Sequence, residues 1–478
     1  MSDQVAESVP GRLRTRLPDN MVRQILIRLP AKSIFRFKTV SKPWNSIISD
    51  PSFYSSYISS NPSSSWFIVE QMQPAYPRFM NFPPELNFQE LELKIIYKPF
   101  DKQIYPKLLA SSNGLLLIAI TWNIKQSNPN FFLINLITNE TIQLTEPPHN
   151  HIGRTGLGLI TQINKNNGVL EKFRVVDYQP RIETQFASLI CFSSETTNWE
   201  AKSAKCINQN WMIIGGVGVF EFNGKLVWFD LRVGLMIWDD PFTEEDEVVC
   251  RFIDLPLTEF VEGSERIIDG GGGYIQFGEI SKKESLGEFN MWRLNENEKW
   301  IKILTCMVRF PCSFPKPILI HPCNADFVFI NLGDCIFHLD VKTPYVDDIT
   351  SRIDNILTNE EKILPVQLPS WPISFPPCFY ASLLNKHGHD SLMKRKFDIA
   401  LDFYTNCIDL QYAATCNCEG LLHEFIKAYQ ARASAKKQLC NNEGYLEDLS
   451  SSLNLLKLSC RNLIKELVRQ HNNRTSAR

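Results

Sequence analysis

Residues 17–53 carry apolar side chains at helical spacing, interrupted by prolines and serines that begin and end helices. Asp19 lies at the start of the first predicted helix, where an acidic side chain is favourable, and Pro30 ends that helix. Ser33 is predicted to cap a second helix and Ser41 a third. The apolar residues of these three short helices are Met21, Val22, Ile25, Leu26, Leu29, Ile34, Phe35, Phe37, Trp44, Ile47 and Ile48.

This stretch is too short to bury so much apolar surface by itself, because folds of fewer than about 40 residues rarely form a sufficient core. Either the helices pack against the rest of the chain, or they present an apolar face to a partner. Residues 1–60 contain nine Lys and Arg residues against Asp3, Glu7, Asp19 and Asp50. This local charge suits an acidic partner or, equally, a solvated basic face.

The order of these residues resembles the F-box. Its pattern runs Leu-Pro, a helix, Leu-Pro, a basic and apolar helix, Val-(Cys/Ser)-Lys-x-Trp and Asp-Pro-x-Phe, and the positions here are Leu17-Pro18, Leu29-Pro30, Val40-Ser41-Lys42, Trp44, Asp50-Pro51 and Phe53. The resemblance implies docking to an acidic Skp-type adaptor and, through it, to a cullin. The residues implied for this contact, or for the small core behind it, are Leu17, Pro18, Ile25, Leu26, Leu29, Pro30, Val40, Trp44 and Ile47.

From about Trp66 to Ile363 the apolar residues occur in short runs separated by turn signals. Asn223-Gly224 joins two such runs, which favours a two-residue β-hairpin. Repeated turns at hairpin spacing indicate an antiparallel all-β domain, and a propeller of about 300 residues would hide its sheet edges by closing on itself. The predicted strands include 115–120, 131–136, 141–144, 217–222, 225–230, 274–280, 290–294, 299–304, 327–332 and 335–341.

Several segments of this region resemble, in order and spacing, the F-box-associated domain of plant F-box proteins. The usual Asn-Pro is Asn135-Leu136 here, and segment 156–160 lacks its usual acidic follower. The resemblance implies a β-propeller-like scaffold whose loops bind a target protein. The matching segments are 110–118, 131–144, 171–178, 187–200 and 219–229.

The prolines of residues 364–378 predict a stiff, extended linker. Beyond it the apolar spacing becomes helical. Residues around Gly388 and Ala400 resemble one tetratricopeptide repeat, and residues 429–453 resemble part of a second; the alternative is an ordinary helical bundle packed on the propeller. The predicted helical stripes are Phe397, Ala400, Leu401, Tyr404 and Ile408; Leu422, Phe425, Ile426, Tyr429 and Ala433; and Leu446, Leu449, Leu453 and Leu456.

The sequence therefore predicts a multidomain chain with a small all-α F-box, an all-β propeller-like middle domain and an all-α, tetratricopeptide-like C-terminal region. The predicted boundaries are a disordered N-terminus at 1–16, the F-box at 17–56, the β domain at 66–363, the linker at 364–378 and the helical region at 379–478.

No residue pattern predicts catalysis, a cofactor or a metal site. The glycine-rich segments 215–218 and 270–273 lack the strand–turn–helix context of phosphate loops and are predicted to be strand turns. There is no GxSxG, HExxH or Cys-His enzyme signature. Cys416 and Cys418 have no second pair at zinc-finger spacing, and the acidic run 244–247 is predicted to be a solvated loop.

The 50 Lys and Arg residues nearly balance the 52 acidic residues, so the global charge does not favour nucleic acid. The longest apolar run is far shorter than the roughly 18 residues of a membrane helix, and the polar N-terminus is not typical of a signal peptide. The 13 scattered cysteines indicate free thiols in a reducing compartment. We expect the protein in the cytoplasm and/or nucleus, with neither nucleic acid nor membrane as a partner.

The predicted function is that of a non-catalytic subunit, the substrate receptor of an SCF (Skp–cullin–F-box) ubiquitin ligase. The F-box would bind the adaptor, and the β domain and/or the C-terminal helices would bind an unknown target protein. The alternatives are a non-ligase F-box scaffold or inhibitor that links the adaptor to a partner, and an enzyme built on the propeller.

Overall fold

The computed structural model shows N-terminal helices, a large β-rich middle region and C-terminal helices. The predicted fold class is therefore confirmed. The segment predicted to be disordered, 1–16, lies outside the described residues. The structure describes residues 17–38, 40–61, 64–69, 78–81, 89–90, 105–121, 129–138, 140–147, 156–164, 166–180, 186–206, 218–256, 264–283, 286–309, 314–332, 335–342, 346–348, 363–368, 371, 375–413, 419–439, 441 and 443–457.

The N-terminal bundle contains four helices where the sequence predicted three. The fourth begins after Asp50, whose carboxylate accepts a hydrogen bond from the Ser52 backbone N–H at 2.7 Å. Ser41 caps the third helix as predicted, but the prediction for Ser33 is wrong, because Pro30 with its helix-compatible φ of −56° already begins the second helix. The helices are α1 (Asp19–Ile27), α2 (Ala31–Phe37), α3 (Lys42–Ile48) and α4 (Pro51–Ser60).

Each of the strands named from the sequence overlaps an observed strand. The strands are β1 (Ser64–Val69), β2 (Arg78–Asn81), β3 (Gln89–Glu90), β4 (Tyr105–Ser112), β5 (Leu115–Thr121), β6 (Asn130–Asn135), β7 (Thr141–Gln143), β8 (Leu157–Ile163), β9 (Leu170–Pro180), β10 (Phe186–Ser193), β11 (Trp199–Cys206), β12 (Gly218–Phe222), β13 (Lys225–Asp230), β14 (Gly234–Trp238), β15 (Glu247–Asp254), β16 (Glu265–Gly271), β17 (Tyr274–Lys283), β18 (Leu286–Leu294), β19 (Trp300–Arg309), β20 (Lys316–Ile320), β21 (Phe327–Leu332), β22 (Cys335–Asp340), β23 (Val346–Asp348) and β24 (Ile363–Leu368).

Within the described residues these strands form six four-stranded blades of a propeller. The innermost strands contact one another around a closed ring, in the order β24, β4, β8, β12, β16 and β20. The ring closes because β24, the last strand, pairs antiparallel with β1, the first. From blade 1 to blade 6, the blades are β24-β1-β2-β3, β4–β7, β8–β11, β12–β15, β16–β19 and β20–β23.

Blades 3 and 4 are also joined at their outer edges. β11 and β15 pair in parallel over residues 203–206 and 247–250, so the two blades form one eight-stranded sheet. This pairing removes two strand edges that would otherwise be open to another chain.

The structure corrects the predicted linker 364–378. Its first five residues all belong to β24, in which Pro365 lies opposite Phe67 of β1. Proline lacks a backbone donor, but β24 is the inner edge of its sheet, where that donor is dispensable. The Pro365 carbonyl accepts a hydrogen bond from Ser111 Oγ at 2.9 Å. The β domain therefore extends to Leu368.

Three tight turns connect innermost strands to their neighbours. Residues 113–114, 223–224 and 272–273 all have positive φ, the geometry of two-residue hairpins that match the strand twist. The prediction that segment 270–273 is a strand turn is confirmed. Of the other glycine-rich segment, 215–217 lies outside the described residues and Gly218 begins β12.

Four helices follow the propeller in the described part of the chain. The stripes predicted on the second and third of them face the interior, with Ala400, Tyr404 and Phe425 each exposing at most 4%. The third predicted stripe, Leu446, Leu449, Leu453 and Leu456, also lies on a helix, but its four leucines are exposed. The helices are α5 (Pro377–Met393), α6 (Phe397–Ala413), α7 (Glu419–Gln438) and α8 (443–457).

The C-terminal helices pack on blades 2 and 3 through α5. Phe379 and Leu383 are buried in the apolar core that these blades share. Lys386 Nζ donates to the Thr197 carbonyl at 2.6 Å, and His387 Nε2 lies 2.9 Å from the Gln143 carbonyl oxygen. Apolar burial and polar contacts together fix α5 on the propeller.

Trp371 attaches the N-terminal bundle to the propeller. Its ring lies edge-on to Tyr54 and Tyr57, with centroid distances of 5.6 and 5.3 Å. Gly168, between β8 and β9, lies against the same rings, and a Cβ there would approach Tyr54 Cε2 to 2.3 Å. Glycine is required at this position both by that contact and by its φ of +68°.

No helix in the described part of the chain is long and apolar enough to cross a membrane. The cysteines for which the structure gives a bonding state are free thiols, as predicted: Cys191, Cys206, Cys250, Cys306, Cys323 and Cys407.

Candidate docking surfaces

The N-terminal bundle has a core of its own. Leu26, Ile34 and Phe53 each expose at most 1%, and they pack in one cluster with Trp371. Tyr57 Oη donates to the Leu29 carbonyl at 3.1 Å, which ties α4 to the end of α1. The side of α1 that faces the bundle core is therefore buried by contacts within this chain.

The other side of α1 is apolar and exposed. Leu17, Met21 and Ile25 expose 51%, 54% and 52%, and their spacing of four residues places them along one helix face. They line a shallow groove of about 410 Å³ together with Asn20, Arg23 and Gln24, which we call the α1 groove. Large apolar side chains exposed side by side are typical of a protein-binding surface.

The structure divides the nine residues that the sequence assigned to the adaptor contact or the core behind it. Five are open to a partner, one is internal and three lie between. The exposed residues are Leu17, Pro18, Ile25, Pro30 and Val40; Leu26 is buried; Leu29, Trp44 and Ile47 are partly buried and pack against the bundle core.

Met21 was missing from the predicted contact residues although it lies in the middle of the α1 groove. The signal that could have found it is its spacing, four residues after Leu17 and four before Ile25.

Basic side chains accompany this apolar surface. Arg28, Arg36 and Lys42 are exposed on the same bundle. Lys38 lies under the Trp371 ring at 5.9 Å, and its burial lowers the pKa of its ammonium group. The exposed cations suit an acidic partner surface.

A second concave site lies at the centre of the propeller. Its volume is about 610 Å³, within the range of binding pockets for small molecules or side chains. Innermost strands and the turns 113–114, 223–224 and 272–273 contribute to its walls. The charged lining residues are Lys107, Glu221 and Asp269, and the aromatic ones are Phe220, Phe222 and Phe229.

A chain of hydrogen bonds in this cavity links three blades. Ser112 Oγ of β4 lies 2.7 Å from Thr161 Oγ1 of β8 and donates to Glu221 Oε2 of β12 at 2.5 Å. Asn113 Nδ2 donates to the same Thr161 hydroxyl at 2.8 Å. Burial raises the pKa of the Glu221 carboxyl.

Asp269 is the second carboxyl of the cavity. Its Oδ1 accepts a hydrogen bond from the Gly270 N–H at 2.8 Å, but burial dominates and raises the pKa of Asp269 to about 7. A cation in the cavity would favour the ionised form of both carboxyls. The cavity is therefore suited to a positively charged or hydrogen-bonding group.

The sequence did not reveal this cavity, because its residues come from blades more than 100 residues apart and only ring closure brings them together. In the part of the chain that the structure describes, no group of three or more His, Cys, Asp or Glu side chains is arranged to hold a metal ion.

Two family models match the chain. Residues 15–56 match the F-box domain. Residues 93–342, more than half of the chain, match the model described as "F-box protein At3g26010-like, beta-propeller". The structural propeller extends beyond this match on both sides, through β1–β3 and β24.

Relatives of similar architecture occur in Arabidopsis thaliana. The F-box protein At3g26010 is 26% identical over 66% of this chain and 74% of its own length. The putative F-box/kelch-repeat protein At1g15680 is 25% identical over 69% of this chain and 82% of its own length. The F-box protein At5g07610 is 30% identical over 63% of this chain and 73% of its own length.

Among solved structures, the periplasmic gluconolactonase PpgL of Pseudomonas aeruginosa aligns at 10% identity and a TM-score of 0.30, covering 65% of this chain and 98% of its own. This score is too low to support an inference. The family matches, by contrast, cover the N-terminal bundle and most of the propeller, and the chain therefore belongs to the F-box proteins that carry an At3g26010-like β-propeller.

Proposed function

We propose that this chain is the substrate receptor of an SCF ubiquitin ligase and binds a Skp-type adaptor, and through it a cullin, with the α1 groove. One observation carries the proposal: Leu17, Met21 and Ile25 are exposed beside a bundle core that is complete without them. The chain itself performs no bond chemistry; it holds a target lysine near a ubiquitin-charged enzyme and so raises its effective concentration.

The central cavity is the proposed target-binding site. Its two carboxyls, Glu221 and Asp269, and its phenylalanine walls favour a basic side chain of the target protein, with the aliphatic stem against the rings. The exposed loops around the cavity would supply the remaining contacts.

The C-terminal helices are proposed to be a tetratricopeptide-type pair of hairpins that adds to the target surface. Gly388 of α5 supports this proposal, because a Cβ there would approach Tyr404 Cε1 of α6 to 2.5 Å, so the two helices approach each other as closely as glycine allows. We further expect this receptor in the cytoplasm and/or nucleus.

The test of adaptor binding is Ile25→Asp in the full-length chain co-expressed with a Skp-type adaptor. Placing a carboxylate in an apolar contact costs several kcal/mol, so we expect co-purified adaptor to fall at least about 100-fold. Ile25 exposes 52%, so the bundle should stay folded. Leu26→Asp is not a valid test, since Leu26 exposes 1% and its replacement would unfold the bundle itself.

Ser59→Asp is the matched control, because it adds the same charge at an exposed position near the end of α4. It should leave adaptor binding unchanged. Wild-type yields of adaptor with Ile25→Asp would show that the α1 groove is not the contact. A chain that binds the adaptor but alters no client's ubiquitination or turnover would instead be a scaffold.

A further inference from the structure

The hydrogen bonds of the central cavity run in one direction, toward Glu221. Ser112 has a single hydroxyl proton, which its Oγ donates to Glu221 Oε2 at 2.5 Å. Thr161 is therefore the donor to Ser112 Oγ, 2.7 Å away, and it accepts in turn from Asn113 Nδ2 at 2.8 Å. Burial raises the pKa of the Glu221 carboxyl, and the hydrogen bond from Ser112 opposes that rise. The chain of donors is thus arranged to hold an ionised carboxylate.

The protein supplies no counter-charge to this carboxylate or to Asp269. The basic residue of the cavity lining is Lys107, whose side chain is exposed. Among the described residues, no cation pairs with Glu221 or with Asp269. A carboxylate withdrawn from water without a counter-charge is unfavourable. A cation that enters from outside would remove this cost.

One oxygen of each carboxyl is already used by the chain. Glu221 Oε2 accepts from Ser112, and the Gly224 N–H also donates to this carboxyl. Asp269 Oδ1 accepts from the Gly270 N–H at 2.8 Å. A guanidinium binds best through two parallel hydrogen bonds to both oxygens of one carboxylate. An ammonium needs only one oxygen for each of its hydrogen bonds, so these carboxyls suit an ammonium better than a guanidinium.

An apolar wall lies beside the Asp269 carboxyl. A Cβ on Gly270 would approach Phe222 Cδ2 to 2.7 Å and Phe220 Cε2 to 3.2 Å. The missing side chain therefore lets both rings lie against β16 next to Asp269, and both rings line the cavity. The methylene stem of a long basic side chain packs well on such rings while its charged end reaches a polar group.

We propose that the central cavity selects a primary ammonium group, the side chain of an unmodified lysine in the target protein, over the guanidinium of an arginine. The ammonium supplies the counter-charge that the chain lacks, and the stem lies against Phe220 and Phe222. An acetylated lysine has lost this charge and is not held. The inference rests on the proposed target-binding role of the cavity and adds the identity of the group that it takes.

The test is a titration of the full-length protein with n-butylammonium and with n-butylguanidinium chloride at pH 8, followed by saturation-transfer NMR. The two probes share their butyl stem and their charge and differ only in the head group. The pKa of Asp269 is about 7, so its carboxyl is ionised at this pH. We expect the dissociation constant of n-butylammonium to be at least about tenfold lower than that of n-butylguanidinium.

Two variants locate the bound probe. Glu221→Gln and Asp269→Asn each remove one charge and keep a hydrogen-bond acceptor, and each should weaken n-butylammonium binding at least about tenfold. Glu296→Gln is the matched control, because it removes the same charge at an exposed position in the turn between β18 and β19. It should bind as wild type does. Circular dichroism checks that all three variants are folded.

The outcomes separate this inference from the proposed target site. Equal affinity for the two probes, lost in Glu221→Gln and Asp269→Asn, overturns the selection of lysine and leaves the cavity as a site for basic side chains. Wild-type affinity in both of these variants, or no binding of either probe to wild type, overturns the proposed target site as well.

Discussion

Ile25 and Leu26 are neighbours in the chain, yet they expose 52% and 1%. A turn of 100° between successive helical residues is enough to place one in a groove and the other in a core. Both residues fit the same apolar pattern. The periodicity therefore predicted the helix, but it did not show which side of the helix faces the core and which side is exposed. Which residue faces the core was decided by α4, which covers one side of α1 with Phe53 and Tyr57.

The ionisation of Asp269 should make the stability of the protein depend on pH. Its folded-state pKa is raised to about 7 from an ordinary 3.8, so the folded protein holds this proton more tightly than the unfolded chain. The contribution to stability is therefore complete below about pH 4 and is lost as the pH rises to about 7. Asp269→Asn should remove this loss and be more stable than wild type above pH 7, by on the order of 4 kcal/mol.

The measurement is the free energy of unfolding by denaturant at several pH values, for wild type and Asp269→Asn. The exposed Asp409→Asn on α6 is the control and should track wild type. Wild-type and Asp269→Asn curves that run parallel between pH 4 and pH 8 would show that the Asp269 carboxyl is ionised in the folded protein.

At the scale of elements, the contacts between the bundle and the propeller in the described residues centre on Trp371. Trp371 is the aromatic residue that follows β24, and it fills the space between Tyr54, Tyr57 and the turn at Gly168. No residue pattern distinguished this tryptophan within its proline-rich segment. Its role depends on β24 leaving the propeller next to the end of the bundle.

Trp371→Ala should therefore loosen the bundle without unfolding the blades. Removing a buried tryptophan typically costs about 3–5 kcal/mol, and here the loss falls on the contact between two elements. Amide hydrogen exchange should rise in α4 and remain slow in β13 and β14. Trp300→Ala, which removes a hydrogen bond from Trp300 Nε1 to the Asp254 carbonyl, is the control and should leave α4 unchanged. Unchanged exchange in α4 of Trp371→Ala would assign the attachment to other contacts.

At the scale of the whole molecule, the propeller is closed by strands from its two ends. β1 and β24 are separated by nearly 300 residues but pair over six registered positions. We expect such a long-range pairing to form late in folding. Bringing the two ends of a long chain together costs conformational entropy before the hydrogen bonds and apolar contacts of the paired strands can compensate for it. We therefore expect the propeller to unfold as one cooperative unit and not blade by blade.

Truncation tests this closure. A chain ending at residue 374 keeps β24 and should retain a folded propeller of lower melting temperature, since it loses Phe379 and Leu383 from the core of blades 2 and 3. A chain ending at residue 362 lacks β24 and should lose its near-ultraviolet circular dichroism and aggregate. Equal melting temperatures for the two would show that β24 is not needed for closure.

Local chemistry made much of this architecture predictable. Asn113-Gly114 and Asn223-Gly224 select hairpins by their own backbone preferences, and Ser41 caps α3 with its own hydroxyl. Boundaries that depend on partners were less predictable. Pro365 predicted a linker, but it lies in β24 and pairs with β1. The leucines of α8 form an apolar stripe, but the buried side of that helix carries Asp448 instead.

The sequence by itself determined the elements: where helices begin, where strands turn, and that the chain divides into helical, β and helical parts. These follow from interactions between residues a few positions apart, which any sequence displays directly. Only the tertiary structure decided the number of blades, the closure by β24, the cavity between the innermost strands and the division of apolar residues into core and open surface. Each of these depends on contacts between residues that are far apart in the chain. Whether a side chain is buried depends on the neighbours that the folded structure places around it, and these neighbours cannot be read from the local sequence.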